Sequence, residues 1–184
     1  MDLAAAFAAC PRARFLPPGQ QPYARLDRAL PLGYDVTCSQ PTTVRRMLEL
    51  LGPRPGDRVL DVGCGSGWTT ALLAHLVGPA GRVVGVEIIP EVLAAGTRHL
   101  AGLTGLTGLA RVELHLTAPG APLGWPTGAP YDRILVSADA PVLAPDLVAQ
   151  LVPGGVLVGP VRGEMLRVER HGRYVFVPLR TLDP

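Results

Sequence analysis

RVLDVGCGSGW (Arg58–Trp68) is a short apolar run that ends in an acid and three alternating glycines, and a helical stretch, TTALLAHLVG (69–78), follows directly. A strand this short and this apolar belongs inside a sheet covered on both faces. Glycines at 63, 65 and 67 let the backbone turn sharply and approach a ligand closely. Downstream the alternation repeats. RVVGVE (82–87) reads as a strand and PEVLAAGTRHLAGL (90–103) as a helix with Pro90 in its first turn. RVELHL (111–116), DRILVSA (132–138) and GVLVGPV (155–161) read as strands, and PDLVAQLV (145–152) as a helix. This order predicts an α/β fold with a central, mostly parallel sheet and helices on both faces. The tail MLRVERHGRYVFVPL (165–179) reads as two alternating runs around His171-Gly172, a C-terminal antiparallel hairpin that brings the expected count to seven strands.

Upstream, residues 10–41 are irregular and rich in Pro, Gly and polar residues after a short helix at 3–9. TTVRRMLELLG then spaces Val44, Met47, Leu48 and Leu51 as the apolar face of a helix, with Thr42 placed to cap it. The whole 184-residue chain reads as one domain: a head (1–41), a ligand-binding core (42–161) and a hairpin (162–184). With 22 glycines, 20 prolines and 48% hydrophobic residues, the chain has apolar surface enough for a core. A net charge of +2 with scattered arginines offers no basic stripe for nucleic acid. No apolar run approaches the roughly 20 residues of a membrane span, and an acid at position 2 is unlike a secretory signal, so a cytoplasmic protein is expected. Cys10, Cys38 and Cys64 lack metal or disulfide spacing and read as buried small side chains. No residue pattern calls for a metal, and none sets the oligomeric state, for which a monomer is the default.

Trp68 stands where a dinucleotide loop needs its third glycine, and an indole there obstructs a pyrophosphate. A ligand without phosphate suits the loop better. Glu87, twenty residues after Gly67, is placed at a strand end to accept hydroxyls of a ribose. The pattern resembles the first motif of class I S-adenosylmethionine-dependent methyltransferases, which have a Rossmann-like fold. That resemblance implies S-adenosyl-L-methionine as cofactor and S-adenosyl-L-homocysteine as product. It implies cofactor contacts from Asp61, which would face the methionine end, and from Gly63, Cys64, Gly65, Gly67, Glu87 and Ile88.

CPRARFLPP (10–18), LPLGYDVTCSQPTTVRRMLELL (30–51), APYDRILVSADAP (129–141) and LVAQLVPGGVLVGPV (147–161) further resemble blocks of protein-L-isoaspartate O-methyltransferases. The T-x-S-Q-P block is the specific one. By resemblance, Ser39 and Thr37 fall on the catalytic segment, Gln40 on a cofactor contact, and Val36 and Asp139 on substrate positions. The implied substrate is a protein or peptide carrying the carboxylate of an isoaspartyl or aspartyl residue, whose methyl ester collapses to a succinimide. The chain departs from the family at Asp35 and Val36, where Gly and Gln are expected, at Asp139, within a run of alanines, and at 117–121, which lacks the acid that faces adenine. Acids beside the site repel a carboxylate unless the fold turns them away. A tailoring methyltransferase with one dedicated peptide or small molecule, and a non-catalytic relative, remain as alternatives. His75, His99 and His115 read as ordinary histidines, Asp132 as a backbone contact, and Trp68 and Trp125 as packing or as pocket walls.

Overall fold

The computed structural model describes residues 2–103 and 108–172. Its helices are α1 (Leu3–Ala9), α2 (Pro41–Leu51), α3 (Trp68–Val77), α4 (Pro90–Ala101) and α5 (Pro145–Ala149). Strands β1 (Leu30–Gly33) and β2 (Val36–Cys38) form a small hairpin in the head. Strands β3 (Arg58–Val62), β4 (Arg82–Glu87), β5 (Arg111–Leu116), β6 (Tyr131–Val136), β7 (Leu151–Val161) and β8 (Glu164–Glu169) form one sheet in the order β5-β4-β3-β6-β7-β8. Within that sheet only β8 runs antiparallel to its neighbour.

The mostly parallel Rossmann-like sheet is as expected, with six strands rather than seven among the described residues. The antiparallel partner is the first run of the tail, and it turns back from β7 at Arg162-Gly163. Arg162 (φ 53°) and Gly163 (φ 78°) are both left-handed, which suits a two-residue connection between Val161 and Glu164. The second run expected in the hairpin, 173–179, lies outside the described residues. β7 also begins at Leu151, ahead of the expected 155. Its first residues pair with Tyr131, and the register slips before Arg133 meets Val156, so α5 is a helix of five residues.

Side chains alternate across the sheet. Val59, Val83, Leu135, Val156 and Val158 face α1, α2 and α3, whereas Leu60, Val84, Ile134 and Leu157 face a second core with Leu147 of α5 and Tyr131. Among the described residues no α-helix links β5 to β6. The loop between them covers that face instead: Trp125 stacks on His115 with ring centroids 4.0 Å apart, and the Gln150 amide donates to the Leu123 carbonyl and accepts from the Trp125 N–H. At the lower edge Asp132 accepts from the Arg58 N–H at 2.8 Å, a backbone contact as expected. Among the described residues no helix is long and apolar enough to cross a membrane.

Leu135 is fully buried in the larger core. Leu135→Ala is expected to lower the unfolding free energy by about 2–5 kcal/mol, seen as a lower denaturant midpoint with an unchanged slope.

Candidate active site

The carboxyl ends of β3, β4 and β6 open into a cavity of about 480 Å³, roofed by the β1–β2 hairpin and walled by the 117–124 loop. That volume lies in the ordinary range for small-molecule sites. Two left-handed glycines on its floor, Gly63 (φ 74°) and Gly65 (φ 56°), expose backbone to it, while Gly67 (φ 86°) lies outside its lining and makes the turn into α3. A Cβ at Gly67 would press on Leu100 of α4 at 3.2 Å, and one at Gly96 would meet the Gly65 carbonyl at 2.9 Å. Gly96, a mid-helix glycine, therefore lets α4 pack against the loop. His99 supports the same loop, with Nδ1 3.0 Å from the Ser66 carbonyl oxygen.

Glu87 closes the floor. It is 7% exposed, and its carboxylate accepts from the N–H groups of Gly65 (3.0 Å), Ile88 (2.8 Å) and Ile89 (3.1 Å). A carboxylate has about four acceptor sites, so it is fixed in orientation with capacity left for a hydroxyl. Gly63 and Cys64 both donate to the Val86 carbonyl, which ties the loop to the same strand end.

Asp61 does not face the cavity as the resemblance implies. It is fully buried, and its carboxylate accepts from Thr69 (2.9 Å), Thr70 (2.7 Å) and Ser137 (3.3 Å). Two hydroxyls in the first turn of α3 and one beyond β6 converge on the end of β3, so the acid ties these segments together. Burial pushes its carboxyl above the usual carboxylate range, against the three hydroxyls. Cys64 is buried too and lies outside the lining of this cavity, and burial raises its thiol strongly, so it stays protonated.

Gln40 is likewise placed elsewhere. Its amide donates to Asp27 (3.1 Å) and its carbonyl accepts from the Thr43 hydroxyl (3.4 Å), away from the cavity wall. Thr42 does not cap its own helix. Its N–H (2.9 Å) and its hydroxyl (2.7 Å) both donate to Asp27, and these bonds hold the Asp27 carboxyl below the usual range.

Arg12 fixes the other side of the same segment. It is 5% exposed, and its guanidinium donates to the carbonyls of Ala24, Leu26, Arg28 and Cys38, at 2.8 Å for the last two. It also lies 5.4 Å from the centre of the Trp68 ring, whose indole N–H donates to the Cys10 carbonyl. Trp68 and Trp125 are thus packing residues, neither of them in the wall of the main cavity. Between Arg12 and Asp27, the segment carrying Val36, Thr37 and Ser39 is held against the cavity, where all three line the wall with Ile88. Asp35 also lines it and is exposed. Asp139 is exposed beside an adjoining groove, and its carboxylate accepts from the Gly163 N–H at 3.0 Å. Arg12, Asp27, Gly96 and the hydroxyls around Asp61 carry no motif of their own. Only a glycine within a helical pattern hints at one of them.

This fold and site define an S-adenosylmethionine-dependent methyltransferase. The profile of the protein-L-isoaspartate(D-aspartate) O-methyltransferase family matches residues 2–175, and the chain belongs to that family. A protein-L-isoaspartate O-methyltransferase of Anaeromyxobacter dehalogenans (strain 2CP-C) is 53% identical, the match covering 97% of this chain and 89% of that one. One of Aeropyrum pernix is 49% identical over 85% of this chain and 58% of its own length. A solved protein-L-isoaspartate O-methyltransferase superposes with a TM-score of 0.75 at 29% identity, over 86% of this chain and 50% of that one. A Plasmodium falciparum structure in complex with S-adenosyl-L-homocysteine has a TM-score of 0.76 at 18% identity, over 92% of this chain and 82% of that one, a likeness of fold.

Thr70→Val removes the shortest hydrogen bond to Asp61. An acid whose folded-state value is raised loses stability as pH rises from its unfolded value toward its folded one. The variant extends that loss to higher pH, so its destabilisation, about 1–3 kcal/mol near neutrality, is expected to shrink toward pH 4 in denaturation curves.

Proposed function

We propose that the chain transfers a methyl group from S-adenosyl-L-methionine to the carboxylate of an isoaspartyl residue in a peptide or protein. The observation that carries this reading is one cavity that joins the glycine floor and Glu87 to Thr37 and Ser39, with no arginine in its wall among the described residues.

The residues present fit the cofactor. Glu87 keeps an acceptor site for a ribose hydroxyl, Gly63 and Gly65 leave open backbone where a side chain would intrude, and Ile88, 65% exposed, offers apolar surface to adenine. Without an acid at 117–121, the adenine edge is left to backbone groups of that loop. When bound, the cofactor supplies an electrophilic methyl on a sulfonium.

The chain's own part is placement. A carboxylate with an ordinary value near 4 is ionised at neutral pH, so no general base is needed. Ser39 and Thr37 can donate to it and fix its direction. An anion and a sulfonium lose charge as they react, so a guanidinium on the carboxylate would stabilise the ground state more than the transition state. Hydroxyls and apolar walls such as Val36 and Leu123 avoid that penalty and exclude water.

An isoaspartyl peptide is expected to gain methyl, and its aspartyl twin to gain far less. Ser39→Ala should lower kcat/KM about 10- to 100-fold through a lost charged hydrogen bond, with S-adenosyl-L-homocysteine affinity within about threefold by calorimetry. Binding without any methylation of the isoaspartyl peptide would point instead to a dedicated substrate, and absence of binding to a non-catalytic relative. Glu87→Gln should weaken S-adenosyl-L-homocysteine about 10- to 100-fold, a loss that Ser39→Ala does not show.

A further inference from the structure

A second cavity of about 310 Å³ adjoins the first and shares Val62, Leu123 and Ala138 with it as a common wall. Apart from Asp139 its other lining is apolar, with Val142, Leu143 and Leu147 around a floor that includes Leu157. Val142 is 57% exposed, so the groove is open to an incoming side chain. It is also preformed. The 139–142 segment is pinned to the β7–β8 turn by the Arg162 N–H on the Ala140 carbonyl (3.0 Å), Arg162 Nε on the Pro141 carbonyl (2.8 Å) and the Gly163 N–H on Asp139 (3.0 Å). Among the described residues Asp139 is the one ionisable group in its wall.

We propose that this groove is a substrate subsite that takes the apolar side chain of a residue next to the isoaspartyl residue. The inference rests on the reaction proposed above and names the peptides it favours. The two cavities share one wall, so a peptide whose carboxylate lies in the first brings an adjoining residue to the edge of the groove. Only an apolar side chain recovers hydration free energy in such a groove, and Asp139 at its margin repels an acidic one.

The test compares isoaspartyl peptides that carry Ala, Leu or Glu at either neighbouring position, with wild type and Val142→Glu. At one position Leu is expected to raise kcat/KM about 10-fold or more over Ala, and Glu to lower it. Val142→Glu, at an exposed position, should bring the Leu-to-Ala ratio near one while leaving the Ala peptide within about threefold. A ratio near one at both positions in wild type, or an equal loss for both peptides in the variant, overturns the subsite and leaves the reaction standing. Methylation of none of the isoaspartyl peptides overturns the reaction and the subsite together.

Discussion

A loop built to show bare backbone to a ligand has no side chains with which to hold itself, and two buried carboxylates do that work here. Glu87 collects three N–H groups at the end of β4, one of them from Gly65. Asp61 collects three hydroxyls at the end of β3 and so locks α3 and the end of β6 to the loop's start. The two acids divide the labour. Glu87 lines the cavity, and Asp61 is buried behind it inside the fold.

The head is organised by the same economy. Its backbone is mostly irregular, and a buried arginine gathers four of its carbonyls. Arg12 spans from residue 24 to residue 38, while Asp27 takes the start of α2. The catalytic candidates Thr37 and Ser39 sit between these two anchors, on a segment too short to hold its own shape.

Much of the fold was legible because buried parallel strands announce themselves. RVLDV and RVVGVE are rich in valine, apolar and bounded by glycine or helix signals, RVELHL alternates polar and apolar residues as an edge strand does, and their limits agree with β3, β4 and β5. The head hairpin was not legible, since its turn uses Tyr34 and Asp35 at positive φ in place of a glycine pair. The β7–β8 turn hid for the same reason behind Arg162. In the site, Gly63, Gly65, Glu87, Ile88, Val36, Thr37 and Ser39 converge on one cavity. Asp61 and Gln40 went elsewhere because hydroxyl and carboxylate partners distant in sequence compete for them. Arg12 left no trace in the pattern, because its partners are backbone carbonyls.

The absence of lysine removes a Schiff base or an ammonium base from the chemistry, and the cavity of glycine backbone, hydroxyls and acids is consistent with a reaction that needs neither. A crystal structure of the complex with S-adenosyl-L-homocysteine tests the division of roles between Glu87 and Asp61 most directly. The account predicts a ribose hydroxyl on Glu87, the homocysteine end between Gly63 and Ser39, and Asp61 still bonded to Thr69 and Thr70. Ligand bonded to the Asp61 carboxylate, or seated outside this cavity, would contradict it.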